Sequence, residues 1–225
     1  MTSTAAGPLF SSRPEAGRRL AGVLSYLRGP DVVVLGLPRG GVPVAAEVAR
    51  ALDAPLDVVV VRRVTVPGRP DLVAGAVSEE DMTVVDTEMI KAHRVSWQAL
   101  HRAERIARAA VEYSVAVLRS TRWCEPLVGR TALIVDDGMA TGATARVACL
   151  AARARGADRV VVAVPVARPG ASALLAGVAD GVVCLHRLHG LVSVGQAYRD
   201  LPPVSDEELL PVLARAAARP RAVRG

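Results

Sequence analysis

Five short apolar runs, Val32 to Leu37, Val58 to Val61, Leu133 to Val135, Val160 to Val166 and Val182 to Leu185, are unbroken and rich in valine. A strand with one wet face alternates apolar with polar residues, whereas a strand covered on both faces has no need to. These runs therefore read as the buried strands of a sheet with helices on each side. Helical patterns lie between them. Pro43 to Leu52 begins with proline in its first turn, and Ala143 to Arg155 closes on Arg153 and Arg155 before Gly156, the usual signs of a helix start and stop. Strand, helix, strand in that order implies right-handed parallel crossovers and an α/β fold.

Composition removes several classes. The chain has 225 residues, 51% of them hydrophobic, enough to bury about 70% of its unfolded surface without a staple. No apolar run approaches the roughly 20 residues of a membrane helix, and the first twenty residues lack the pattern of a secretory signal. Cys124, Cys149 and Cys184 are an odd number of widely spaced thiols, which fits a reducing compartment and roles as small core or surface residues. The expected location is cytoplasmic, without a membrane partner.

Glu88 to Arg119 contains neither Gly nor Pro and reads as one long helix or two, with Ile106, Ala110, Tyr113 and Val117 spaced as one apolar packing face. Near the end, Ser205 and Glu208 form a capping box for a terminal helix, which Pro211 should kink or restart. Arg219 to Gly225 read as frayed.

The chemistry concentrates in Thr131 to Thr144, TALIVDDGMATGAT. Apolar residues bring a strand to its carboxyl end; Asp136 and Asp137 follow, then small residues and hydroxyls lead into a helix. Small residues let backbone amides approach a ligand, and a helix N-terminus favours an anion, so the turn is a seat for a phosphate. Two carboxylates beside a phosphate would accept hydrogen bonds from sugar hydroxyls or assist a divalent cation. There is no Lys after a G-x-x-x-x-G frame and no G-x-G-x-x-G, which excludes two common nucleotide loops.

The stretch resembles the ribose-phosphate signature of type I phosphoribosyltransferases. The resemblance implies a three-layer, doubly wound, mainly parallel sheet in a single domain over residues 1–225, with a core at about 30–185 and a small hood built from about 1–29 and 186–225. It also implies that Asp136 and Asp137 hold ribose hydroxyls and that Gly138, Ala140, Thr141, Gly142, Ala143 and Thr144 wrap the 5-phosphate. A second segment, Leu35 to Pro43 (LGLPRGGVP), ends the first strand and opens a helix, so it can share one crevice with the first at the strand carboxyl ends. In the family the matching loop binds pyrophosphate, here through Arg39 and Gly40, often with unusual backbone geometry. Arg62 and Arg63 stand together at a strand end; buried without partners they would be costly, so they are expected to face the same anion. The Pro67, Gly68, Arg69 and Pro70 segment after them is the candidate for the family's lid, with Gly68 and Arg69 as its site residues.

The implied reaction moves the 5-phosphoribosyl group of 5-phosphoribosyl 1-pyrophosphate (PRPP) to a nitrogen nucleophile, releasing pyrophosphate. Mg²⁺ is the expected cofactor, bound mainly through PRPP with weak help from Asp136 and Asp137. The implied catalytic set is Asp136, Asp137 and Arg39. Ala140 stands where hypoxanthine-guanine members carry an acid, which disfavours that specificity. The acceptor is expected at the hood, where Leu191 to Leu201 supplies only Tyr198 as an aromatic platform; Phe10, Tyr26, Trp97 and Trp123 are read first as core or interface residues. His186 and His189 would have metal-binding spacing only on a helix. A homodimer is implied by the family alone.

Two alternatives remain. One is a PRPP-sensing regulator of the same fold that binds RNA or DNA; the net charge of +6 permits it, but no winged-helix segment or aromatic-basic interleaving supports it, so nucleic acid is disfavoured as a partner. The other, a ligase or hydrolase, would need a nucleophile motif such as G-x-S-x-G, which is absent.

Overall fold

The computed structural model describes residues 7–69, 72–120 and 124–218. Pro70, Trp123 and Arg219 to Gly225 lie outside these residues.

Valine-rich runs become a five-stranded parallel sheet in the order β2-β1-β6-β7-β8, made of β1 (Val32–Gly36), β2 (Leu56–Val58), β6 (Thr131–Val135), β7 (Arg159–Ala167) and β8 (Gly181–Arg187). Successive side chains point to opposite faces, and both faces are covered. Val32, Val34, Leu133, Val135, Val161 and Ala163 enter one core, shared with α1 (Arg13–Val23), α2 (Gly41–Leu52) and α6 (Asp206–Ala217). Val33, Leu35, Ala132, Ile134, Val160 and Val162 enter the other, under α5 (Ala143–Ala154). This is why the runs show no alternation.

The run Val58 to Val61 is not one strand. It divides at Val59 and Val60 into β2 and β3 (Val61–Thr65), and β3 joins a separate antiparallel sheet, β3-β4-β5, with β4 (Val73–Ser78) and β5 (Thr83–Val85). Gly75 belongs there because a Cβ on it would meet the Val84 carbonyl oxygen at 2.0 Å.

The Gly- and Pro-free stretch is two helices, α3 (Thr87–Ala92) and α4 (Trp97–Leu118). The break needs neither punctuator: Arg94 takes φ 51, and the Ser96 side chain caps α4 by accepting from the Ala99 N–H at 3.2 Å. The expected packing face is also displaced. Leu100, Ala103, Ala107, Val111, Ser114 and Leu118 are buried, while Ile106 and Tyr113 are each 59% exposed. In α6 the Ser205–Glu208 capping box forms, and the helix runs continuously through Pro211. That proline lies in the second turn and removes only one backbone donor.

Arg119 fastens α4 to the sheet edge, donating to Asp57 Oδ1 at 2.6 Å and Glu79 Oε1 at 2.9 Å. Cys149 is buried, which pushes its thiol up to about 12; Cys184 is half-buried and Cys124 exposed. No helix among the described residues is long and apolar enough to cross a membrane.

Candidate functional site

Strands β1 and β6 are parallel neighbours in register to their last residues, Gly36 opposite Val135. Both therefore deliver their following loops to the same edge of the sheet. The Leu37 N–H donates to the Val135 carbonyl at 3.0 Å, and the Pro38–Arg39 peptide is cis. Gly40 and Gly41 then lie directly on the second loop. A Cβ on Gly40 would fall 2.0 Å from Asp137 Oδ2, and one on Gly41 would fall 2.6 Å from the Val135 oxygen and 3.0 Å from Asp136 Oδ1. Gly40 has an ordinary φ of −66, so close approach, not backbone freedom, reserves this position for glycine.

The two carboxylates have unequal surroundings. Asp136 Oδ1 accepts from the Asp137 N–H at 2.9 Å. Burial, and then the neighbouring Asp137 charge, hold the Asp136 carboxyl well above its usual range, opposed by that N–H, by Arg63 and by Arg13. Asp137 Oδ2 accepts from Arg13 Nε at 2.9 Å, and the Asp137 carbonyl accepts from the Tyr198 hydroxyl at 2.6 Å. Arg13 also donates to the Pro202 carbonyl at 2.7 Å. Residues near both ends of the described chain meet here: Phe10 pairs with Tyr198 in an isolated bridge, and their rings are 5.4 Å apart.

Beyond Asp137 the chain turns tightly. A Cβ on Gly138 would strike Val194 Cγ1 at 2.6 Å, and Met139 is tied to β7 through the Val166 oxygen at 2.9 Å. Gly142, at φ 88, begins α5 without a side-chain cap of its own, and in the first turn the Ala143 N–H donates to Thr141 Oγ1 at 3.4 Å. Thr141 is exposed and Thr144 half-buried.

Of the arginines, Arg39 and Arg63 are exposed, and their side chains make no hydrogen bond or ion pair among the described residues. Arg62 turns the other way along β3. It donates to both oxygens of Asp206 at 3.1 Å, to Ser114 Oγ, and to the Pro38 carbonyl at 3.2 Å. Asp206 is 4% exposed and also accepts from Ser114 at 2.6 Å. Gly68, at φ 76, and Arg69 form the turn at the tip of the β3–β4 hairpin, and Arg69 reaches His93.

A family model described as the phosphoribosyl transferase domain matches residues 14–184. The chain belongs to the phosphoribosyl transferase family. Two Mycobacterium tuberculosis proteins, from strains H37Rv and CDC 1551 and named "Putative phosphoribosyl transferase", are each 48% identical to it over 208 residues, 92% of this chain. The chain spans about half the length of these curated relatives, 47%. The crystal structure of TT1426 from Thermus thermophilus is 40% identical and superposes with a TM-score of 0.73, covering 92% of this chain and 98% of that one.

Seen as a phosphoribosyl transferase, the chain seats Gly40 and Gly41 on Asp137 and Asp136, with Arg39 preceding them in the loop and the turn Gly138 to Thr144 following the acids, but it separates Arg62 from Arg63. Tyr198, the expected acceptor platform, is 6% exposed; its ring packs on Phe10 and its hydroxyl donates to the Asp137 carbonyl. Phe10 is core, at 1% exposure, whereas Tyr26 and Trp97 are exposed. His186 is on β8 and not on a helix; among the described residues no three His, Cys, Asp or Glu side chains are grouped to hold a metal. Sequence reasoning missed Arg13, Ser114 and Asp206. Arg13 meets Asp137 across 124 positions, and Asp206 presents only as the first residue of a capped helix, so neither carries a local signal.

Proposed function

We propose that this chain transfers the 5-phosphoribosyl group of PRPP to a nitrogen nucleophile and releases pyrophosphate. The observation that carries the reading is the seating of Gly40 and Gly41 on Asp137 and Asp136 at the carboxyl ends of adjacent strands. That contact joins a cationic loop fit for pyrophosphate to an acid pair fit for ribose hydroxyls, and the start of α5, proposed for the 5-phosphate, follows the acids directly along the chain.

In this reading Asp136 and Asp137 accept from the ribose hydroxyls, the turn from Gly138 to Thr144 binds the 5-phosphate, and Arg39 and Arg63 stabilise the charge that gathers on pyrophosphate as it departs. Arg62 acts through the loop, since its partners are Pro38, Ser114 and Asp206. Orientation of this kind contributes on the order of 7 to 11 kcal/mol to lowering a barrier. The hairpin tip at Gly68 and Arg69 is the proposed cover that excludes water.

The residues fit a Mg²⁺ ion brought with the donor better than one held by protein alone. Two adjacent carboxylates are present, one of them engaged by Arg13, and no third ligand accompanies them among the described residues. Such an ion would supply further neutralisation of the leaving pyrophosphate.

The test is pyrophosphate release from PRPP with Mg²⁺ across a panel of nucleobases, amines and aromatic acids, with Asp137→Asn as control. Turnover abolished in the variant supports the proposal. Tight PRPP binding with no turnover and salt-sensitive binding of nucleic acid would replace it with the sensor reading, and no PRPP binding at all would defeat both.

A further inference from the structure

Between β2 and β3 the chain leaves one sheet for the other while buried: Val58, Val59 and Val60 are at most 1% exposed. Buried backbone donors and acceptors need partners, and a segment passing between two sheets has no full ladder to supply them. Charged side chains stand in. The Val58 carbonyl accepts from Arg119 Nη2 at 2.9 Å, and the Val60 N–H donates to Glu79 Oε1 at 3.0 Å. The Glu79 N–H donates to the Val60 carbonyl at 3.0 Å, and the Val59 N–H donates to the Gly36 carbonyl at 3.3 Å.

These side chains belong to one buried cluster. Arg119 grips Glu79 with two donors, Nη2 to Oε1 at 2.9 Å and Nε to Oε2 at 3.3 Å, and reaches Asp57 Oδ1 with Nη1 at 2.6 Å. Arg155, at the end of α5, donates from Nη2 to Asp57 Oδ2 at 3.1 Å and to the Glu125 carbonyl at 3.0 Å. All four side chains are at most 14% exposed. Ion pairs so far from water add little net stability over an apolar packing of the same volume. The two arginines differ in one respect: Arg119 holds the backbone of the step, and Arg155 makes no hydrogen bond to Val58, Val59 or Val60 among the described residues.

The step decides where β3 begins. Two residues beyond Val60, Arg62 donates to the Pro38 carbonyl at 3.2 Å. Arg63 follows, about 10 Å along the strand from Val60 at 3.3 Å per residue, and its charge acts on Asp136. From this geometry we infer that Glu79 and Arg119 are positioning residues for the pyrophosphate side of the site: by clamping the backbone on both sides of Val59 they set where Arg62 holds the Pro38–Arg39 loop and where Arg63 stands. This role rests on the assignment of Arg39 and Arg63 to pyrophosphate proposed above. The acid pair and its turn follow β6, which pairs directly with β1, so the ribose-phosphate side does not depend on the step.

Calorimetric titration with Mg²⁺-pyrophosphate and, separately, with ribose 5-phosphate distinguishes the two sides. Glu79→Ala deletes the acceptor at the Val60 N–H; it should weaken pyrophosphate binding about 10-fold and leave ribose 5-phosphate within about twofold of the parent. Glu79→Gln keeps an oxygen for that N–H while losing the charge, so pyrophosphate binding should stay within about threefold of the parent even though Tm falls. Arg155→Met removes a charge from the same cluster without touching the step, and should lower Tm but change neither affinity. Hydrogen exchange supplies a readout that needs no ligand: Glu79→Ala should speed exchange of the Val61–Thr65 amides relative to those of Val32–Gly36, and Arg155→Met should not. Equal losses for both ligands, a Gln variant as weak as the Ala variant, or an Arg155→Met variant that loses pyrophosphate would overturn the positioning role. A parent that binds neither ligand would overturn the phosphoribosyl-transfer proposal and the pyrophosphate role with it, whereas β3 exchange unaltered by Glu79→Ala would overturn the clamp itself.

Discussion

Arg13, the first residue of α1, donates from Nε to Asp137 Oδ2 at 2.9 Å, and both side chains are at most 15% exposed. Its guanidinium also lies against Gly40, where an added Cβ would be 3.1 Å from Nη2. One cation thus touches the acid that is proposed to hold the ribose and the loop that is proposed to hold pyrophosphate. Arg13→Ala should therefore raise KM for PRPP by about 10-fold and lower thermal stability, since it leaves Asp137 partly buried without its partner. Arg13→Lys should recover stability in part but not KM, because an ammonium cannot present the same fork. Steady-state kinetics with a melting curve separates the two effects.

Gly40→Ala isolates the contact between the loops. Its backbone would tolerate alanine at φ −66, so the fold should persist. The new methyl would occupy the position of Asp137 Oδ2, 2.0 Å away, and the carboxylate would have to turn out of the site. The expected result is a melting temperature within a few degrees of the parent and a loss in kcat/KM of about 100-fold or more, the size associated with misplacing a positioned group.

Asp136 gives a pH dependence with a definite sign. Burial and Asp137 raise its folded pKa above the ordinary 3.8. A folded state that holds this proton more tightly than the unfolded chain loses stability as pH rises from about 4 through the raised pKa. Asp136→Asn should abolish that decline and raise Tm at pH 7 by roughly 2–4 °C, the shift that 1 kcal/mol gives a domain of this size, while destroying PRPP binding. Melting curves from pH 4 to pH 8 check the first expectation, and calorimetric titration with PRPP the second.

What the sequence made legible follows from which interactions are local. Unbroken valine runs identify strands covered on both faces, and the strand, acid pair and small-residue turn at Thr131 to Thr144 are contiguous, so both were readable. The antiparallel sheet was not, because Val58 to Val61 is continuous in hydropathy although the chain leaves one sheet for another at Val59. The α3–α4 break was marked only by Ser96, a cap that the lack of Gly and Pro obscured. Side chains that complete the site from a distance, Arg13, Tyr198 and Asp206, obey no local spacing. Their roles are set by where the chain ends return to the strand termini, and the pairing of Arg62 with Arg63 dissolved because adjacent strand residues face opposite ways.

Arg62 and Asp206 form the second long-range device. The carboxylate is 4% exposed and shares Ser114 with the guanidinium. Removing Arg62 would leave a buried charge unpaired, and Arg62→Ala is expected to cost about 3 to 5 kcal/mol in urea denaturation. Replacing both residues, as Arg62→Met with Asp206→Leu, should cost markedly less. The double variant would still lack the donor to the Pro38 carbonyl, so KM for PRPP should stay elevated even where stability returns.

Tyr198→Phe decides between two roles for the aromatic whose hydroxyl meets the acid pair. The hydroxyl donates to the Asp137 carbonyl at 2.6 Å, and the ring is buried against Phe10. Burial, followed by Asp137 and Asp136, pushes the phenol far above its ordinary range, so the O–H remains a donor at every working pH. Phenylalanine keeps the packing and deletes that hydrogen bond, which should cost about 1 kcal/mol of stability. Because the lost bond orients Asp137, KM for PRPP should rise about threefold to 10-fold, while KM for whichever acceptor the panel identifies should be unchanged. A stacking platform would behave in the opposite way: Tyr198→Phe would retain acceptor binding and PRPP binding alike, and only Tyr198→Leu would damage the acceptor KM. Measuring both constants for both variants therefore assigns the residue to the donor side of the site or removes it from there.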